Sequence, residues 1–75
     1  MALFVALTRA VREAAVPDDV RIRAYDVIDR MARTVGQPGC QVELDALAAL
    51  ASEQARMHLA LQPLWDDLLA LVPKQ

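Results

Sequence analysis

From Leu47 to Leu71, large apolar residues recur at alternating spacings of three and four. The series is Leu47, Leu50, Met57, Leu61, Leu64, Leu68 and Leu71, with Gln54 as its single polar member. An α-helix brings residues so spaced to one face, whereas a strand would scatter them. Two readings fit the stripe. A heptad seam could join a second chain, with Gln54 fixing the register at some cost in stability. Alternatively the stripe is the wide apolar face of an ordinary three-helix core. Both predict burial, and they differ in which chain supplies the cover. We take Leu47, Leu50, Gln54, Met57 and Leu61 as the expected homodimer interface.

Size makes association attractive. A chain of 75 residues buries a modest fraction of its surface. Its single cysteine, Cys40, excludes an intrachain disulfide. Zinc usually takes four Cys or His ligands, and Cys40 and His58 are all the chain has. No metal and no cofactor are expected. Apolar residues make up 56% of the sequence, above the usual ~45–50%. Much of that is alanine and leucine, which favour helices. The alanine excess and the near-absence of lysine suggest a GC-rich bacterial genome.

The period extends over the rest of the chain, so an all-α fold is expected: an antiparallel bundle of three helices plus a short C-terminal one, as a single domain over 1–75. A first helix over 2–15 aligns Leu3, Leu7, Ala10 and Ala14, and Val16-Pro17 stops it. A second, over 18–35, opens with Pro17, Asp18 and Asp19, which suit a helix start. Its stripe is Ala24, Ile28, Met31 and Val35, and Gly36 is the expected residue just past its end. The segment "GQPGCQ" reads as a loop and places Cys40 there as an unactivated thiol. A third helix over 42–61 contains neither glycine nor proline, so it reads as continuous.

Pro63 interrupts the leucine pattern. Inside a helix it would cost ~3 kcal/mol, but at the first position of a new helix it costs little. Asp66 and Asp67 follow within a turn, as a helix start favours. A break or sharp kink near Gln62 and a helix over 63–72, ended by Pro73, are therefore expected. This segment either caps the core or docks into a partner's groove, with Leu64, Trp65, Leu68 and Leu69 as the anchors.

Function classes narrow by chemistry. Catalysis needs convergent groups, and here there are one His, one Cys, one Ser (Ser52) and no glycine-rich phosphate loop. No enzyme and no small-molecule substrate are expected, and His58 reads as a polar-edge or interface residue. Net charge is −2, which gives no support to a general polyanion binder. Asp19–Arg23, Asp26–Arg30 and Asp29–Arg33 are acid-before-base pairs at i,i+4, which neutralise three arginines locally. Arg9, Arg12 and Arg21 are left for a nucleic-acid regulator, the second reading. A helix-turn-helix is disfavoured because residues 41–62 lack a turn residue. The N-terminal apolar run lacks a basic start and meets Arg9 and Arg12, so no signal peptide is expected. No apolar run reaches ~18 residues, so no membrane span is expected either. One cysteine without an export signal points to the cytoplasm. The expectation is a cytoplasmic bacterial homodimer that binds another protein through apolar helix faces, as a regulator, adaptor, inhibitor or small chaperone.

Overall fold

The computed structural model describes residues 2–72, and they are all-helical. Helix α1 is Ala2–Glu13, α2 is Asp18–Arg33, α3 is Gly39–Glu53, α4 is Ala55–Leu61 and α5 is Trp65–Leu69. A 3-10 turn, Gln62–Leu64, joins α4 to α5. Helix α2 packs on α3, while α1 packs on α2 and on α4. Between them lie Leu7, Val11, Ala24, Ile28, Met31, Leu44, Leu47, Met57, Leu61 and Leu68, all buried. No polar or charged residue is buried among the described residues.

The ends of the first two helices follow from local chemistry. Helix α1 stops two residues before the expected 15. Its last carbonyls turn toward Arg21 of α2, whose guanidinium donates to the backbone oxygens of Arg12, Ala14 (3.2 Å) and Val16 (3.2 Å). Four carbonyls at a helix C-terminus lack helical partners, and a cation suits the negative dipole end. The Nε of Arg21 stays 4.0 Å from Asp18 Oδ1 and has no hydrogen-bond partner. Helix α2 ends at Arg33 rather than 35. Thr34 Oγ1 donates back to the Arg30 and Met31 carbonyls at 3.0 and 3.2 Å. Gly36 then takes a φ of +78°, as its expected place beyond the helix end requires. Its N–H donates to the Leu71 carbonyl at 3.4 Å, tying this turn to the turn that follows α5.

Ion pairs hold α2 to itself and to α3. Arg30 pairs with Asp26, and Arg33 lies 2.6 Å from Asp29, as the spacing predicts. Asp19 and Arg23 form no ion pair. Arg30 also donates Nε to Glu43 on α3 at 2.9 Å. Hydrogen bonding to Glu43, then to Asp26, raises the Arg30 pKa and keeps the guanidinium charged.

The third helix departs from expectation at both ends. It starts at Gly39, three residues early, so Cys40 is not a loop thiol: it sits in the first turn of α3, buried and free. More consequentially, it is not continuous to 61. Gln54 adopts φ −131° and ψ 104°, an extended conformation that separates α3 from α4. Gln54 N–H still donates to the Leu50 carbonyl (3.1 Å), and its carbonyl accepts from His58 N–H (3.0 Å). The first three amides of α4 lose their helical acceptors.

Burial accounts for the break. A straight helix over 39–61 would run about 34 Å, against about 24 Å for α2, leaving its last turns without cover. Turning at Gln54 lays α4 against α1 and buries Met57, Leu61 and, beyond them, Leu68. Burying each such side chain gains ~1.5–3 kcal/mol. Three forfeited backbone hydrogen bonds cost ~0.5–1.5 kcal/mol each, less where water replaces them. Burial wins by roughly twofold.

Pro63 does the milder work. Leu61 (φ −90°, ψ −19°) and Leu64 (φ −103°, ψ −3°) remain in the helical region, and the chain tightens into a 3-10 turn around the proline instead of breaking sharply. The last helix is shorter than the expected 63–72, and Pro73, expected to end it, lies outside the described residues. No helix of the described residues is long and apolar enough to cross a membrane.

Candidate functional site

The turn at Gln54 opens an angle between α3 and α4, and that angle is a groove of about 600 Å³. Volumes of ~300–1,000 Å³ are usual for binding sites. One wall is the α3 face of Ala48, Ala51 and Ser52. These residues are spaced i, i+3, i+4, and their small side chains keep this wall low. The other wall is His58, Leu61, Gln62, Trp65 and Asp66. Their spacing is that of one helical face, continued through the 3-10 turn into α5. Leu69, four residues past Trp65 and 50% exposed, extends the same face beyond the groove. The arrangement is an apolar slot with polar groups at its edge.

Ser52, His58 and Asp66 bring the residue types of a nucleophilic triad to one groove, but they are not assembled as one. Ser52 Oγ donates to the Ala49 carbonyl at 2.8 Å. No hydrogen bond joins the three side chains to one another. A nucleophile needs a base within hydrogen-bond reach, itself oriented by a third group. Among the described residues no group of three or more His, Cys, Asp or Glu is placed to hold a metal ion.

The expected dimer seam lies elsewhere than on the surface. Leu47, Leu50, Met57 and Leu61 are buried inside the single chain, covered by its own helices. Gln54, read as a register-fixing polar residue within the seam, is the half-buried residue at which the helix turns. These five side chains offer no free stripe to a second copy, because the fold-back supplies the cover that the spacing called for. The expected partner anchors divide. Leu68 is fully buried and Leu64 packs partly against the core, so both serve the chain's own interior. Trp65 likewise packs partly against the core while lining the groove wall, and Leu69 is 50% exposed.

The three arginines of the nucleic-acid reading do not gather either. Arg21 is committed to the carbonyl end of α1. Arg9 and Arg12 are exposed on α1, where with Phe4, Val5 and Thr8 they line a shallower hollow of about 390 Å³.

Sequence reasoning named none of Ala48, Ala51, Ser52, Gln62 and Asp66 as site residues and read His58 as a polar-edge or interface residue. The spacing of 58, 61, 62, 65 and 66 was visible, but the opposite wall exists only because the helix turns. No protein-family model matches the chain, and no curated protein or solved structure matches it.

Proposed function

We propose that this chain is a non-enzymatic protein-interaction module whose α3–α4–α5 groove receives an apolar helix face of a partner. The observation that carries the reading is the groove itself. It pairs alanines on one wall, which let a helix approach closely, with Trp65 on the other. Tryptophan half-buried at the edge of a slot is the kind of group that dominates binding energy at interfaces. Leu69 lengthens the apolar face along α5, as helix-in-groove recognition needs. The uncoupled Ser52, His58 and Asp66 give catalysis no support. With Arg21 engaged in capping, the nucleic-acid reading retains two arginines. In this reading the protein works in a bacterial cytoplasm, consistent with one free, buried cysteine.

The test is affinity capture with two full-length baits, the wild type and Ser52→Arg. Ser52 is exposed, so the arginine fills the groove without disturbing the core. A protein retained by the wild type and lost with Ser52→Arg supports the reading. Equal retention by both baits, with circular dichroism showing both folded, puts the binding surface elsewhere and overturns the groove.

A further inference from the structure

We infer that the occupant of the groove is helix α1 of a second copy of this chain, exchanged reciprocally to form a symmetric dimer. The inference rests on the groove being a protein-binding site and names its partner.

Two surfaces of the one chain are complementary. On α1, Val5, Arg9 and Arg12 stand at i, i+4 and i+7 and so share a face. Val5 is 59% exposed, and both arginines are exposed. No acidic side chain lies within ion-pair distance of either arginine among the described residues. At the groove, Asp66 lines the slot and Asp67 stands beside it, both exposed. Neither is paired with a basic side chain among the described residues. Arg56 of α4 is not among the lining residues, and His58 is the one basic group there. Arg21, Arg30 and Arg33 all have acidic neighbours within 4.0 Å, and Asp19, Arg23 and Arg56, which form no ion pair among the described residues, line neither hollow. Of the charged side chains that line the two hollows, those on α1 are basic, Arg9 and Arg12, and the one carboxylate in the groove is Asp66.

Symmetry favours reciprocity. A single α1-into-groove contact is heterologous and would propagate into open assemblies. Two reciprocal contacts close as a pair and double the area buried. A stable interface takes ~800 Å² from each partner, about a sixth of this chain's 4730 Å² surface. Such a dimer leaves Leu47, Leu50, Met57 and Leu61 in their own core.

The experiment is a charge exchange followed by molar mass from light scattering at low salt. The samples are the wild type, R9E/R12E, D66R/D67R, and an equimolar mixture of the two variants. The wild type is expected to be a dimer that weakens with added salt. Each variant alone sets like charges against each other in both contacts, and its dimer should weaken at least about tenfold. In the mixture both contacts again join opposite charges, so the heterodimer returns. That rescue also shows that both variants are folded.

A monomeric wild type at several hundred micromolar overturns the proposal, as does a dimer that neither variant weakens. Two weakened variants whose mixture stays monomeric, though circular dichroism shows both folded, also overturn it. Each of these leaves the groove itself to the Ser52→Arg comparison. A wild-type bait that captures a different protein through the groove, from a monomeric chain, retains the function and rejects the self-association.

Discussion

Ala55→Pro should stabilise this protein, although the sequence around residue 55 reads as uninterrupted helix. Ala55 is the first residue of α4 and is exposed. A proline at a first helical position forfeits an amide that has no helical acceptor there. The residue before a proline prefers φ near −120° and ψ of about 120–160°, and Gln54 already stands at φ −131° and ψ 104°. The folded state therefore accepts the ring, while the unfolded chain loses freedom, a gain of ~0.4–1 kcal/mol. For a domain of this size the gain raises Tm by about 2–8 °C. Were α3 and α4 one helix, the same change would remove the hydrogen bond to Ala51 and clash with its carbonyl, at ~3 kcal/mol or more. Against a total of ~4–11 kcal/mol for a chain this long, that would be a large fraction of the stability. The assay is thermal unfolding followed by far-ultraviolet circular dichroism, at one fixed protein concentration because self-association would shift Tm. Ala49→Pro, at an exposed position inside α3, is the control expected to destabilise strongly. An Ala55→Pro variant that falls in Tm as far as Ala49→Pro would refute the turn and the groove that depends on it.

Three further outcomes follow from single residues. Arg21→Lys keeps the charge but loses the fork that reaches three carbonyls, and urea unfolding should show a loss of ~1–2 kcal/mol; an unchanged midpoint would mean that the cap contributes nothing. Gly36→Ala meets no steric neighbour within 4 Å, so its cost is the left-handed backbone alone, ~1–2 kcal/mol. Gly36→Asn should recover part of that loss in the same assay, because asparagine tolerates the conformation better. The buried Cys40 thiol should resist a thiol reagent under native conditions and react at a rate set by opening of α3; rapid native labelling would contradict its placement in the core.

Most of the architecture was legible because the period of 3.6 is repeated in every segment. The start of α2 at Asp18 and the positive φ of Gly36 could be read from residues with strong local preferences. The turn at Gln54 could not. Ala51, Ser52, Glu53, Gln54, Ala55 and Arg56 include no proline, glycine or β-branched residue, and local propensity favours continuing the helix. What outweighs it is the burial of Met57, Leu61 and Leu68, a tertiary gain that a linear pattern does not reveal. The same fact explains the misplaced seam. The 3-4 spacing correctly marked Leu47, Leu50, Met57 and Leu61 for burial but could not show that the covering helix belongs to the same chain. Arg21 was illegible for a related reason. Its partners are carbonyls, brought to it by the angle between α1 and α2, and backbone atoms leave no signature in sequence.

The Asp66 and Trp65 side of the site was nearer to being readable. Trp65 stood out by composition, and its helical partners Leu61, Gln62 and Leu69 follow from spacing. Leu64 and Leu68 share a face that Trp65 and Leu69 lie beside, and all four were read together as anchors. On a helix, however, 65 and 69 share a face that 64 and 68 turn away from. That difference separates buried Leu68 from exposed Leu69, while Leu64 and Trp65 are both partly buried against the core.

The most direct measurement is backbone NMR across residues 50–60 of the full chain, combining carbon chemical shifts with amide hydrogen exchange. The account predicts an extended-type shift at Gln54 between two helical runs, with the amides of Ala55, Arg56 and Met57 exchanging fast and that of His58, bonded to the Gln54 carbonyl, protected. Uninterrupted helical shifts from Gly39 to Leu61, with residues 55–57 protected like their neighbours, would contradict it. There would then be one straight helix, and no groove for a partner or a second copy to enter.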